Sequence, residues 1–185
     1  EAWYGSVVAG FPNLFLLLGP NTATGHTSTL LYIEPQVRWA IACMQALARR
    51  GAKALVIACN TATAAAAEAI RAATELPIVA IEPGVKPAAA LTRSGVVGVL
   101  ATTRTLDSER FGRLVCNHAN HLNIVAQACP GLAEAIETEG PASPAVGLLL
   151  DAFVAPLVAA GVDVVVLGCT HYPWVAEAIS RRMPA

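Results

Sequence analysis

The feature that most constrains this chain is an internal echo. The run Gly51-Ala-Lys-Ala-Leu-Val-Ile-Ala-Cys59-Asn60-Thr61 returns as Gly161-Val-Asp-Val-Val-Val-Leu-Gly-Cys169-Thr170-His171. Each copy opens on a glycine able to cap a preceding helix. Each then passes through an apolar run, reaches a cysteine and turns polar. Strand, cysteine, polar turn, helix is thus written twice.

The surrounding sequence extends that pattern. Short Val/Ile/Leu runs alternate with Ala-rich amphipathic stretches. Strands are expected at 13–18, 54–58, 78–81, 95–100, 123–128 and 162–167. Helices are expected at 33–50, 62–73, 86–93, 107–118, 132–139, 145–160 and 173–182. Such alternation predicts an α/β fold with a largely parallel sheet. Apolar runs without polar interruption fit strands buried on both faces.

Composition narrows the partners. Charged residues make up 14% of the chain, the net charge is -1 and aromatics make up 5%. No basic stripe and few stacking platforms are present, so nucleic acid is not an expected partner. A membrane span needs about 20 apolar residues in a row. The nearest stretch, 144–162, is broken by Asp151 and Pro156. The spacing of Val146, Leu149, Leu150, Val154 and Leu157 reads as a buried helix face. No membrane partner is expected, and no signal peptide is visible.

The five cysteines, Cys43, Cys59, Cys116, Cys129 and Cys169, have wide, irregular spacing. That is no disulfide framework, and free thiols suit a reducing cytoplasm. The nearest things to metal-ligand pairs are Cys169 with His171 and Cys116 with His118. Neither resembles a structural zinc motif, and no metal or cofactor is expected. Cys43, Cys116 and Cys129 read as small apolar filler.

Cys59 and Cys169 both fall at the carboxyl ends of strands, where parallel α/β sheets bind ligands. Both precede an expected helix N-terminus, whose free N–H groups and dipole favour a thiolate and lower its pKa. Those N–H groups, with Asn60, Thr61 and Thr170, could hold a carboxylate. Two thiols suit the inversion of an α-carbon: one removes a proton from one face and the other delivers a proton to the opposite face. Packing is the competing reading for each cysteine, but matching contexts weigh against it for this pair. His171 either protonates or orients Cys169, or caps and packs locally. Glu137 otherwise reads as part of a solvated helix face.

Several segments carry a family resemblance. They are Ala58-Cys59-Asn60-Thr61-Ala62-Thr63, Val79-Ala80-Ile81-Glu82-Pro83, Lys86-Pro87, Gly98-Val-Leu-Ala-Thr-Thr103, Cys129-Pro-Gly-Leu132 and Gly168-Cys169-Thr170-His171-Tyr172-Pro173. Over residues 51–183 the chain resembles the glutamate racemases of the aspartate/glutamate racemase superfamily. The resemblance implies two pseudo-symmetric lobes, with lobe changes near 84–100 and near 160. It implies cofactor-independent interconversion of L- and D-glutamate, supplying D-glutamate for peptidoglycan. Cys59 and Cys169 would be the catalytic pair, with His171 and Glu137 in support. Asn60, Thr61, Thr102, Thr103, Thr105 and Thr170 would meet the substrate. It leaves room for a homodimer.

The first segment differs. Gly10-Phe-Pro-Asn-Leu-Phe-Leu-Leu-Leu-Gly-Pro-Asn-Thr22, Gly25-His26, Ser28 and Ile33-Glu34-Pro35-Gln36-Val37 resemble the C-terminal part of flavin-dependent Baeyer–Villiger monooxygenases over residues 1–47. The Asp-Ser-Gly and Pro-Tyr-Gly motifs of the glutamate racemases do not occur before Gly51. The expectation is a racemase region, 51–185, that is N-terminally replaced by residues 1–50 and truncated at its C-terminus. Strand 13–18 is expected beside strand 54–58. Two other readings remain: another amino-acid or hydantoin racemase, and a catalytically inactive remnant that binds a small carboxylate.

Overall fold

The structure is a computed structural model of the chain. It describes residues 53–184 and, as backbone, the strand residues 2–3, 7–8 and 11–15. The expected helix at 33–50 and Cys43 lie outside the described residues. The described chain divides into two compact units, Glu1–Ile81 and Glu82–Ala185.

In the first unit, β1 (Ala2–Trp3), β2 (Val7–Val8) and β3 (Phe11–Phe15) form an antiparallel sheet. A separate parallel pair joins β4 (Leu55–Ile57) to β5 (Ile78–Ala80), with Leu55 opposite Ile78 and Ile57 opposite Ala80. The expectation that strand 13–18 pairs with 54–58 is therefore corrected. β3 comes within 8 Å of β4 by Cα separation, but its ladder is to β2. β2 and β3 are close in sequence, and the short-range antiparallel ladder between them is the one that β3 makes among the described residues. Helix α1 (Asn60–Ala72) follows β4 and buries Ala62, Ala66, Ala67 and Ile70. Its small side chains allow a close approach to the sheet, and Ile70 supplies most of the apolar area.

The second unit contains a three-stranded parallel sheet in the order β7-β6-β8. Its strands are β6 (Val96–Ala101), β7 (Asn123–Ala128) and β8 (Val164–Gly168). The pleat sends alternate residues to opposite faces. Val97, Val99, Ala101 and Val166 pack with Val85 and Ala88 of α2 (Val85–Leu91). Phe111 of α4 (Glu109–His118) joins them. On the other face Leu100 packs with Leu132 and Ile136 of α5 (Leu132–Glu139). Val146, Leu150, Val154 and Leu157 of α6 (Pro144–Ala159) complete that layer. Each fully buried aliphatic side chain contributes about 1.5–3 kcal/mol. Within this unit the sheet is covered on both faces, as its apolar strands require.

The α/β class and the parallel strand–helix alternation are as expected. Two elements differ in detail. A short helix α3 (Thr103–Leu106) stands between the expected strand 95–100 and the expected helix 107–118. The expected helix at 173–182 is a 3-10 turn, Tyr172–Val175, followed by the five-residue helix α7 (Ala176–Ser180). Few side chains there anchor to the core: Tyr172, Val175 and Ile179 are buried, whereas Trp174 is exposed.

Candidate functional site

The carboxyl edge of the three-stranded sheet gathers chemistry by register alone. Ala101 of β6 lies opposite Ala128 of β7 and Gly168 of β8. The next residue on each strand is Thr102, Cys129 and Cys169. The strands stay close there because residue 168 is glycine. A Cβ on Gly168 would fall 2.7 Å from the Cβ of Ala101 and 3.0 Å from the carbonyl oxygen of Leu100.

Cys169 is buried, and its Sγ lies 3.6 Å from His171 Nδ1. The opposite nitrogen, His171 Nε2, lies 2.6 Å from Glu137 Oε1. Thiol, imidazole and carboxylate therefore form one chain of contacts. Its outer members are partly open to solvent, with side-chain exposures of 31% for His171 and 27% for Glu137. The carboxylate favours a proton on Nε2, which leaves the Nδ1 lone pair facing the thiol. The backbone holds the arrangement: Tyr172 N–H donates to the Cys169 carbonyl and Trp174 N–H to the His171 carbonyl. Thr170 is exposed.

Cys169 is not followed by a regular helix. The 3-10 turn after it has four residues and no side-chain cap. The expectation that a helix N-terminus supports this thiol is corrected: too few peptide units are aligned, and His171 occupies that position instead.

The sequence reading missed two neighbours of Cys169. Cys129 is 2% exposed, and Tyr172 is wholly buried with its hydroxyl donating to the Cys129 carbonyl at 3.4 Å. Burial pushes the Cys129 thiol up to about 12, and nearby Cys169 adds to the shift. Burial, together with both cysteines, raises the Tyr172 phenol far above its ordinary value. Cys129 closes β7 as Cys169 closes β8, so its strand-end position was a usable signal. Filler is the right description of its burial. Cys116 is instead exposed on α4, so the filler reading fails there. The amphipathic helix turns that position outward.

Thr102 caps α3, its hydroxyl accepting from Thr105 N–H at 3.3 Å. The two hydroxyls lie 2.9 Å apart. Thr105 is buried and Thr103 exposed, so the three threonines have distinct environments.

The first unit holds the other cysteine. Cys59 is the N-cap of α1, and its Sγ accepts from Ala62 N–H at 3.5 Å. The Thr61 N–H and hydroxyl also favour the thiolate, but burial outweighs all three and raises the Cys59 pKa. The expected lowering is thus corrected: the helix N-terminus is present, but desolvation is the larger effect. Asn60 is 7% exposed, and its Oδ1 is buried without a hydrogen-bond partner. An unmet buried acceptor is costly, and a bound donor would relieve it. Thr63 is buried and donates to the Ile57 carbonyl at 3.5 Å. That bond ties the first turn of α1 back to β4.

The fold agrees with the comparisons. The profile of the Asp/Glu/Hydantoin racemase family matches residues 19–185, and the chain belongs to that family. Within it, the similar curated proteins are glutamate racemases. That of Pseudomonas putida (strain F1) is 53% identical over 139 residues, covering 73% of this chain and 51% of the relative. That of Pseudomonas aeruginosa is 51% identical over 140 residues, covering 75% and 53%. The chain spans about half the length of the curated relatives it matches. A Bacillus anthracis glutamate racemase aligns with a TM-score of 0.75 at 28% identity, over 95% of this chain and 66% of that one. The Escherichia coli glutamate racemase, solved with L-glutamate and the activator UDP-MurNAc-Ala, aligns with a TM-score of 0.70 at 28% identity. That alignment covers 90% of this chain and 63% of the other.

Proposed function

We propose that this chain carries the chemistry of glutamate racemisation, with Cys59 and Cys169 as the two acid/base thiols. The observation that carries this reading is the Cys169–His171–Glu137 chain of contacts. It supplies a thiol with a proton acceptor at 3.6 Å, and it steadies that acceptor with a carboxylate at 2.6 Å.

In one direction the Cys169 thiolate takes the α-proton of the bound amino acid while the Cys59 thiol delivers its proton to the opposite face. The Cα–H bond breaks, its electron pair remains on the substrate as a carbanion, and a new Cα–H bond forms on the other side. Charge is conserved: a thiolate and a thiol exchange roles. In the reverse direction Cys59 is the base. Burial keeps the resting Cys59 protonated, which suits a proton donor. His171 takes the Cys169 proton before the cycle, with Glu137 balancing the imidazolium. Afterwards Cys169 carries the substrate's α-proton, and the imidazolium gives its proton to solvent as the Cys59 thiolate takes one up. No step calls for a cofactor. Asn60, Thr61 and Thr170 are the proposed carboxylate contacts, and Thr102, Thr103 and Thr105 the proposed side-chain contacts. The unmet Asn60 Oδ1 supports a substrate amine or another donor at that position.

Glutamate is the proposed partner, in a cytoplasmic setting, with neither nucleic acid nor membrane. A homodimer is the proposed assembly, and peptidoglycan precursor supply the proposed use. Residues 1–47 are proposed to be similar to the C-terminal part of a flavin-dependent Baeyer–Villiger monooxygenase. The family's breadth favours a second reading in which another amino acid or a hydantoin is the substrate. Circular dichroism of L-glutamate, L-aspartate and a 5-substituted hydantoin incubated with the protein separates the two. Loss of signal with glutamate alone supports the first reading. Loss only with another compound overturns it.

A further inference from the structure

Two sequence pairs have the spacing Cys-x-His: Cys169 with His171, and Cys116 with His118. Their geometry separates them. Cys116 and His118 lie on helix α4, where residues two apart do not face each other. Cys169 and His171 lie in a turn after β8, with Sγ and Nδ1 at 3.6 Å. Tetrahedral zinc, with Zn–S near 2.3 Å and Zn–N near 2.0–2.1 Å, requires an S···N span of about 3.5–3.6 Å. The pair already has that bite.

The imidazole is also oriented as a zinc ligand. A metal-bound histidine usually donates its remote N–H to a carboxylate, which fixes the ring and raises its basicity. His171 Nε2 lies 2.6 Å from Glu137 Oε1, so Nδ1 is the nitrogen left for a metal. Among the described residues there is no group of three or more metal-ligating side chains. The protein therefore supplies two ligands, which is too few for a resident structural zinc and enough for a reversible one. Exposure of the His171 side chain leaves room for water, or a substrate carboxylate, to complete the coordination.

We propose that Cys169 Sγ and His171 Nδ1 form a bidentate site for a soft divalent cation, zinc above all, whose occupancy blocks the Cys169 thiol. On binding, the thiol proton passes to solvent, a Zn–S bond forms, and neutral His171 donates its Nδ1 lone pair. Nothing is oxidised or reduced. Magnesium and calcium prefer oxygen ligands and do not compete. Binding itself does not depend on the racemase reading; only its inhibitory consequence rests on it.

The test is titration of the full chain with cobalt(II), whose thiolate charge-transfer absorbance reports sulfur ligation without turnover. The expected result is a band displaced by zinc, absent from Cys169→Ser, weakened in His171→Ala and unchanged in Cys116→Ser. Glu137→Gln is expected to weaken the metal by about 10–100-fold. In the unaltered protein, zinc is expected to slow iodoacetamide alkylation of Cys169 by about tenfold or more, reversed by a chelator. A band that survives in Cys169→Ser, a band lost in Cys116→Ser, or unchanged alkylation with zinc would each overturn the proposal. Absence of racemisation accompanied by an intact band would reject the proposed reaction and leave the metal site standing.

Discussion

Replacing Gly168 with alanine tests how the sheet positions the second thiol. The new methyl would sit 2.7 Å from the Cβ of Ala101, where ordinary contact begins near 3.4 Å. The obstacle is fixed to the neighbouring strand, whose Leu100 carbonyl oxygen is also only 3.0 Å away. The ends of β6 and β8 must therefore part by roughly 0.7 Å, a strain of the kind that costs about 1–3 kcal/mol in a packed interior. Residue 169 follows directly, so Cys169 moves with the strand end. A misplacement approaching 1 Å lowers a rate by as much as about a hundredfold. Urea unfolding followed by far-ultraviolet circular dichroism measures the stability, and glutamate turnover measures the displacement. The double variant Ala101→Gly/Gly168→Ala removes the closest contact and is expected to recover at least about 1 kcal/mol. Stability of Gly168→Ala within about 0.5 kcal/mol of the unaltered chain would refute the close-approach argument.

Other consequences can be checked independently. Ser143→Ala removes the cap of α6, whose hydroxyl accepts from Val146 N–H at 3.3 Å. It is expected to cost about 1 kcal/mol in urea unfolding. Cys129 titrates near 12 in the folded chain, above an ordinary thiol. Its stabilising contribution is therefore complete below the ordinary thiol pKa of about 8.5 and is lost as pH rises toward 12. Cys129→Ala should flatten that alkaline decline in melting temperature. Asp163 accepts from Thr92, Arg93 and Ser94, which holds its carboxyl well below the usual range. Stability it supplies is present above the usual carboxylate pKa and lost as pH falls, so Asp163→Asn should reduce the acid dependence of melting. Glu137→Gln leaves His171 without its anionic partner and is expected to lower kcat about 10–100-fold with a smaller change in KM. An unchanged kcat with intact folding would show that the carboxylate has no part in turnover.

Much of this was legible in the sequence because local signals agreed. Strand β7 and helix α5 appear at the expected residues, since the Pro130-Gly131 break separates a β-branched run from an amphipathic one. Helix α6 and the strands at both cysteines are also close to expectation. What failed depends on tertiary context. Helix α3 is one turn long, too short for any periodicity. The segment after Pro173 had a proline start and helix-forming residues, but too few buried side chains to keep one continuous helix. The partner of β3 depends on a chain reversal that no residue pattern announces. Cys59 shows the same limit electrostatically. Its place at a helix N-terminus was legible, whereas burial strong enough to outweigh the N–H groups was not. The resemblance named His171 and Glu137, but their direct contact spans two elements far apart in sequence and was not legible from residue pattern.

The central claim is two-thiol chemistry at the α-carbon, and proton exchange tests it more directly than net racemisation. L- and D-glutamate should be incubated separately with the protein in deuterium oxide, and α-deuterium followed by proton NMR. Both enantiomers are expected to gain α-deuterium with the intact chain, and Cys59→Ala and Cys169→Ala are each expected to abolish interconversion. A folded chain that places no deuterium in either enantiomer would contradict the account, as would unimpaired interconversion in either cysteine variant.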